Sequence, residues 1–294
     1  MTVTKPMSAM MPVLSLLLAA TLWGIVWYPL RALEAAGLEG LWTTLIIYLA
    51  ALALGLPLLA RRWTELGRQP LWLLVLAVAA GWCNVAFILA VLEGTVVRVL
   101  LLFYLSPIWA VLLARWLLGE RLSPQARGVF LLAVSGALIM LWDPAMGLPW
   151  PSEPGDWLAV TAGIAFALTN VSVRRLHQVS VPVKTTVSWL GVLAVAVGML
   201  SFRGTLAIPD VAAGVWLGAL ALGGIGIVIM TLTVQYGVTH MPIHRSAVIL
   251  LFELIAGAVS AGLLTDEVVR PLEWVGGALI VAAAYWAARL QTHE

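Results

Sequence analysis

Apolar runs of about 20 residues, each closed by a charge, a proline or a glycine, divide this chain almost without remainder. A helix of that length crosses a hydrocarbon core of ~30 Å at ~1.5 Å per residue. The pattern predicts helical segments over 12–34, 40–60, 70–92, 96–118 and 124–142, then over 156–177, 183–202, 211–238, 242–264 and 271–289. Ser123 before Pro124 signals the start of the fifth, and Asp156 sits where an N-cap would serve the sixth. Pro144, Pro149, Pro151 and Pro154 exclude a helix between Asp143 and Gly155. The chain therefore reads as a first unit over 1–142, a linker over 143–155 and a second unit over 156–294.

The two units resemble each other at a constant offset of 147 positions. Glu93 and Arg98 map to His240 and Arg245, Ser106 to Glu253, Pro124 to Pro271, and Trp42 to Trp189. Gly119-Glu120 falls within one position of Asp266 and Glu267. Five segments per unit is an odd number, so the second copy enters the bilayer upside down. Inverted repeats of this kind are a transporter signature. The predicted fold class is thus an all-α integral membrane protein of ten helices, built as two inverted five-helix repeats.

Composition agrees with a bilayer and with no soluble class: 62% of residues are hydrophobic and 10% charged, with a mean hydropathy of +1.03. A net charge of +2 points to no nucleic-acid partner. Cys83 is the single cysteine, so neither an intrachain disulfide nor a cysteine-based metal site is available. The first apolar stretch continues to Leu33, which suits a spanning helix better than a cleaved leader. With the N-terminus inside, Lys5, Arg61, Arg62, Arg68, Arg115, Arg121, Arg127, Arg174, Arg175, Lys184, Arg245 and Arg289 are inside, and only Arg31, Arg98, Arg203 and Arg270 are outside. That bias of twelve to four predicts cytoplasmic termini in an inner, plasma-type membrane.

An ionisable residue at mid-segment costs about 2.5–3.5 kcal/mol on insertion scales and needs a reason to be there. Glu253 is that residue, and Ser246, Ala256, Gly257 and Ser260 share its helix face. It would bind a substrate amine or carry a proton, or else act as a hydrogen-bonded structural carboxylate. Asn84 maps to Thr231, with Gln235 one turn further along, and these are candidates for polar substrate contacts or for bonds between helices. Trp23 maps to Asn170, so an aromatic wall faces an amide. Trp27 follows Trp23 by one turn, and Tyr104 belongs to the same central aromatic set, open to a cavity or a packing role. Trp42, Trp63, Trp72, Trp150, Trp157, Trp216 and Trp274 lie near segment ends, where anchoring at the interface is the default. Glu93, Arg98, His240 and Arg245 mark segment ends on both faces and are candidate gating residues, with snorkelling to the interface as the alternative. Pro29, Pro57 and Pro107 are expected flex points. The glycines from Gly218 to Gly226, and Gly136, suit close helix packing.

Tyr104-Leu105-Ser106-Pro107 followed by Leu118-Gly119-Glu120-Arg121-Leu122 resembles the EamA domain of the drug/metabolite transporter superfamily. Leu22-Trp23-Gly24, Asn84, Leu251-Phe252-Glu253-Leu254 and Asp266-Glu267 extend the resemblance over nearly the whole chain. It implies a cavity lined by segments one to four and six to nine, with five and ten set aside as supports. It implies export of amino acids, related metabolites or toxic compounds. The family usually has proline where this chain has Leu254, which implies a weaker kink, or none, in segment nine.

These readings converge on a secondary transporter that exports a small amphipathic metabolite, an amino acid or amino-acid derivative, by alternating access. Efflux of lipophilic or quaternary cations is the alternative, and a non-transporting membrane subunit is a remote one. No nucleotide loop, metalloprotease motif or nucleophile elbow is present, so no enzyme activity, cofactor or metal is expected. The two histidines with metal-like spacing, His240 and His244, fall at a membrane surface. Expected partners are the solute and the lipid bilayer, with proton coupling left open by Glu253, and the chain is expected to act as a monomer, with a dimer as the alternative.

Overall fold

The computed structural model describes residues 7–93, 96–142, 150–265 and 270–289, and its elements are all helical. Lys5, the linker positions 143–149, Asp266, Glu267 and His293, together with the Glu93 side chain, lie outside the described set. Ten helices or helix pairs are long and apolar enough to cross a membrane, and their limits match the sequence-derived segments within three residues. Span one comprises α1 (Met7–Ile25) and α2 (Trp27–Ala35). Spans two and three are α3 (Gly40–Arg61) and α4 (Pro70–Glu93), and span four is divided into α5 (Val96–Phe103) and α6 (Ser106–Leu117). Spans five, six and seven are α7 (Pro124–Leu141), α8 (Pro154–Arg175) and α9 (Val181–Arg203). Span eight joins α10 (Ala213–Ala221) to α11 (Val228–His240) through a π-turn at Leu222–Ile227. Span nine is divided into α12 (Ile243–Leu250) and α13 (Phe252–Leu264), and α14 (Pro271–Arg289) closes the bundle. With ten spans the start of span one and the end of span ten fall on one side, called here the terminal face.

The starts follow local chemistry. Ser123 caps α7, accepting the Ala126 N–H at 3.2 Å. Span six begins two residues before Asp156, which sits in its first turn and accepts the Ser152 and Glu153 N–H groups at 2.9 and 3.3 Å. Those amides would otherwise be left unpaired at the helix end.

The breaks in spans four and nine fall 147 residues apart, at Tyr104-Leu105 and at Leu251. In span four Pro107 lacks an N–H, and the ladder shifts so that Leu105 N–H bonds Leu102 O and Ile108 N–H bonds Leu105 O. Span nine breaks as well, which corrects the expectation that Leu254 in place of proline leaves it straighter. There Leu251 N–H bonds Val248 O at 3.3 Å and Leu254 N–H bonds Leu251 O at 3.1 Å, so a tightened 3₁₀-type turn makes the break without a proline. Pro29 also lies just past a break, at Val26, whereas Pro57 leaves α3 continuous.

Span three packs on spans six and seven, span two on seven, and span one on eight and nine, while α7 and α14 pack chiefly on each other. Gly136 and Gly276 form the crossing point of that last pair. Within the π-turn Gly223 lies against the Ile47 backbone. Trp42 is buried rather than an interfacial anchor, its indole donating to Thr205 O at 3.0 Å. Trp63, Trp150, Trp157 and Trp274 are exposed on the bundle surface.

Candidate functional site

The two breaks meet span six around one central cavity of about 20 Å³, room for roughly one water. Phe103, Tyr104, Ser106, Pro107 and Ala110 line it from span four, Phe166 and Asn170 from α8, and Ile243, Ser246, Ala247, Leu250, Leu251 and Glu253 from span nine. Glu253 is the one ionisable carboxyl or base among these lining residues, and the Tyr104 phenol interacts with it. Glu253 falls in the first turn of α13, and Ser106 opens α6 at the equivalent position of the other repeat. Two half-helix N-termini therefore meet at the cavity wall.

The wall is aromatic on one side. Phe103 lies 5.7 Å from Phe166, 5.5 Å from Tyr104 and 4.8 Å from Phe87, centroid to centroid. Phe103 and Phe166 were not legible as site residues. The signals that could have found them are adjacency to the Tyr104 break and a position one turn before Asn170.

Of the residues expected at the site, Glu253, Tyr104 and Asn170 share this cavity and the others do not line it. Asn84 accepts from the Tyr48 hydroxyl at 2.8 Å and donates to Ala80 O. Thr231 accepts from the Trp189 indole at 3.3 Å, and the Gln235 amide donates to Ser188 at 3.0 Å. Trp23 packs into the apolar cluster of spans two and seven. Trp27 donates to Ser260 at 2.9 Å, with Arg31 above its ring at 5.5 Å.

Two of the expected gating residues, Arg98 and Arg245, hold spans together. Arg98 Nε donates to both Asp156 carboxylate oxygens, at 2.9 and 2.8 Å, and its Nη2 to Ser152 Oγ and Trp150 O, so the start of span four is clamped to the start of span six. Arg245 is buried and donates to Ala287 O at 2.8 Å and Ala288 O at 3.4 Å, at the C-terminal end of α14. His240 is exposed, with its ring on Tyr236 and Nδ1 at 2.7 Å from Tyr236 O. His244 is buried, so the two histidines do not form an exposed pair.

Sequence reasoning missed the ties on the terminal face. Glu120 accepts from Arg174 at 3.2 Å and from the Ile243 N–H at 2.9 Å, joining spans four, six and nine. Arg174 also donates to Thr239 O, and the fully buried Lys184 donates to Val173 O and the Thr239 hydroxyl. Glu65, between spans two and three, accepts the Ser180 N–H at 2.7 Å. Burial alone would raise the Glu65 carboxyl, but the Ser180 hydrogen bond and then Arg68 and Arg62 outweigh it and hold the group below its usual range.

The model of the EamA-like transporter family matches this chain twice, over residues 10–142 and 153–289. The chain belongs to the EamA-like transporter family. Membership makes it a multi-pass membrane protein of transporter type. An uncharacterized transporter of Archaeoglobus fulgidus is similar at 25% identity over 227 residues, covering 76% of this chain and 79% of the relative. A crystal structure covers 98% of this chain and all of its own at a TM-score of 0.73 and 21% identity, a likeness of fold. Both matches of the EamA model contribute to the central cavity, the first through span four and the second through spans six and nine.

Proposed function

We propose that this EamA-family protein is a secondary transporter of an inner, plasma-type membrane. It moves a small amphipathic metabolite bearing an amine, an amino acid or amino-acid derivative, by alternating access between two inverted repeats. The observation that carries this reading is Glu253, a lone carboxyl in a cavity otherwise lined by aromatic, aliphatic and neutral polar groups. A carboxylate held where hydrocarbon surrounds the bundle suits an ammonium group or a proton, and Phe103 and Phe166 suit an apolar side chain.

The contracted cavity and the ties on both faces fit an occluded state. Arg98–Asp156 and Trp42–Thr205 lie on one side, and Glu120–Arg174, Glu120–Ile243 and Glu65–Ser180 on the other. For a solute larger than water to bind, one set must release while the other holds. The twelve-to-four bias of basic residues assigns the terminal face to the cytoplasm. Efflux of lipophilic cations is the second reading, favoured by the lack of a basic side chain among the lining residues.

Counterflow in proteoliposomes tests the proposal. Saturable exchange of neutral amino acids by the wild type, lost in Glu253→Gln, is the expected result, and a response to a pH gradient would add proton coupling. Exchange that Glu253→Gln leaves intact would overturn Glu253 as the amine site. Competition by quaternary amines but by no amino acid would select the second reading.

A further inference from the structure

The bundle carries a second and larger hollow, on its lipid-facing side. A groove of about 530 Å³ runs between α13 and α14, against about 20 Å³ for the central cavity. Its lining is apolar over most of its length, with Glu273 and Trp274 at one end and Tyr285 at the other. Gly277, Ala278 and Ala282 keep it open, because their side chains are too short to fill the space between the helices. Trp274, Val281 and Tyr285 are exposed, so the groove faces the surrounding lipid. Water finds too few polar partners along such walls to fill it, which leaves hydrocarbon as the occupant.

The groove has the depth of one leaflet. From Glu273 to Tyr285 is ~18 Å along α14 at ~1.5 Å per residue, close to half of a ~30 Å hydrocarbon core. One acyl chain from the leaflet opposite the terminal face would run its length. A lipid tail gains little by exchanging other tails for an apolar wall, so selectivity has to come from the polar end. There Arg270 Nε donates to Glu273 Oε1 at 2.8 Å and the Arg270 N–H to Glu273 Oε2 at 3.0 Å. The Arg270 side chain is 49% exposed and that of Glu273 20%, so a cation and an anion stand side by side at the mouth of the groove. A headgroup that carries a phosphate and a primary ammonium is their complement, the phosphate meeting the guanidinium and the ammonium the carboxylate. A wholly anionic headgroup would meet Glu273 with repulsion, and a quaternary ammonium would bring it no N–H.

We propose that this groove binds one zwitterionic phospholipid with a primary ammonium, its acyl chain between α13 and α14 and its headgroup on the Arg270–Glu273 pair. The lipid then bears on the half-helix that carries Glu253. Ile255, Ala258 and Val259 of α13 line the groove, whereas Ala256 and Gly257, on the other side of the same helix, meet Gly24 of α1. The half-helix is therefore seated between α1 and a lipid chain, and the lipid completes its packing whatever solute Glu253 meets.

The test is native mass spectrometry of the delipidated full-length protein, titrated with phosphatidylethanolamine, phosphatidylcholine or phosphatidylglycerol of matched acyl chains. Phosphatidylethanolamine is expected to bind about tenfold more tightly than either of the others, the value of one charge-assisted hydrogen bond. Ala278→Trp, at an exposed position in the groove wall, should fill the space and remove the bound lipid with helicity unchanged. Val275→Trp, exposed on the same helix but outside the groove, should retain it. Glu273→Gln should still take up lipid but no longer prefer phosphatidylethanolamine to phosphatidylcholine. Equal binding of the three lipids, a preference for phosphatidylglycerol, or lipid binding that Ala278→Trp leaves intact would each overturn the site. A lipid-free dimer, with a second copy of the chain covering the groove, would overturn it too.

Discussion

Replacing Asp156 with Asn should loosen the clamp between spans four and six. The carboxylate is 1% exposed and Arg98 17% exposed, and the pair is held by two Nε contacts at 2.8 and 2.9 Å. Asparagine offers one acceptor oxygen, so its amide would turn at least one N–H toward the guanidinium or toward the Ser152 and Glu153 amides. Removing one partner of a buried pair costs about 3–5 kcal/mol, and the partial exposure of Arg98 argues for the lower end. Roughly 3 kcal/mol in a chain of this size corresponds to a fall of roughly 5 °C in Tm. Thermal unfolding in detergent should be measured for the wild type, Asp156→Asn, Arg98→Gln and the double variant. The double variant should lose much less than the sum of the singles, since each single already breaks the same contact. Losses that add within about 0.5 kcal/mol would refute the clamp.

Gly24→Ala should disable transport more than it disturbs folding elsewhere, because a Cβ there would lie 2.6 Å from both Ala256 Cβ and the Glu253 carbonyl oxygen and 2.8 Å from the Gly257 nitrogen. Relief needs α1 and α13 to part, at about 1–3 kcal/mol of overpacking, and counterflow should fall while Gly67→Ala, where nothing lies within reach of a Cβ, leaves it unchanged. Glu65 supplies a pH signature. Its folded pKa is lowered, so its contribution is present above the unfolded value and is lost as pH falls through the folded one. Tm scanned from pH 7 to acid should therefore drop more steeply for the wild type than for Glu65→Gln, and parallel curves would count against the Ser180 bond.

Much of the fold was legible because the bilayer imposes one length scale, which a run of apolar residues records directly. Glu253 was legible for the same reason: a carboxyl at mid-span stands out against hydrocarbon. Ser106, Phe103 and Phe166 were not, since a serine or phenylalanine in an apolar run is ordinary and only the meeting of two breaks makes it part of a site. Span nine shows the limit of reading kinks from proline, because a tightened turn is a property of backbone bonding with no residue type of its own. The gate assignments illustrate a further limit. Arg98 and Arg245 share an offset position, yet one meets a carboxylate across the bundle and the other meets helix-end carbonyls, and sequence symmetry alone does not choose between such partners.

The bond from Arg245 to the end of α14 bears on how the chain enters the membrane. Arg245 stands at the start of span nine, and the carbonyls that receive it, Ala287 O and Ala288 O, come from the last turn of span ten. During synthesis span nine would reach the bilayer before those carbonyls exist, carrying a guanidinium toward a surface where lipid headgroups and water must serve in their place. The final helix would then matter to assembly apart from any part in the transport cycle: its arrival would offer that arginine a seat inside the bundle, at the start of the half-helix that ends beside Glu253.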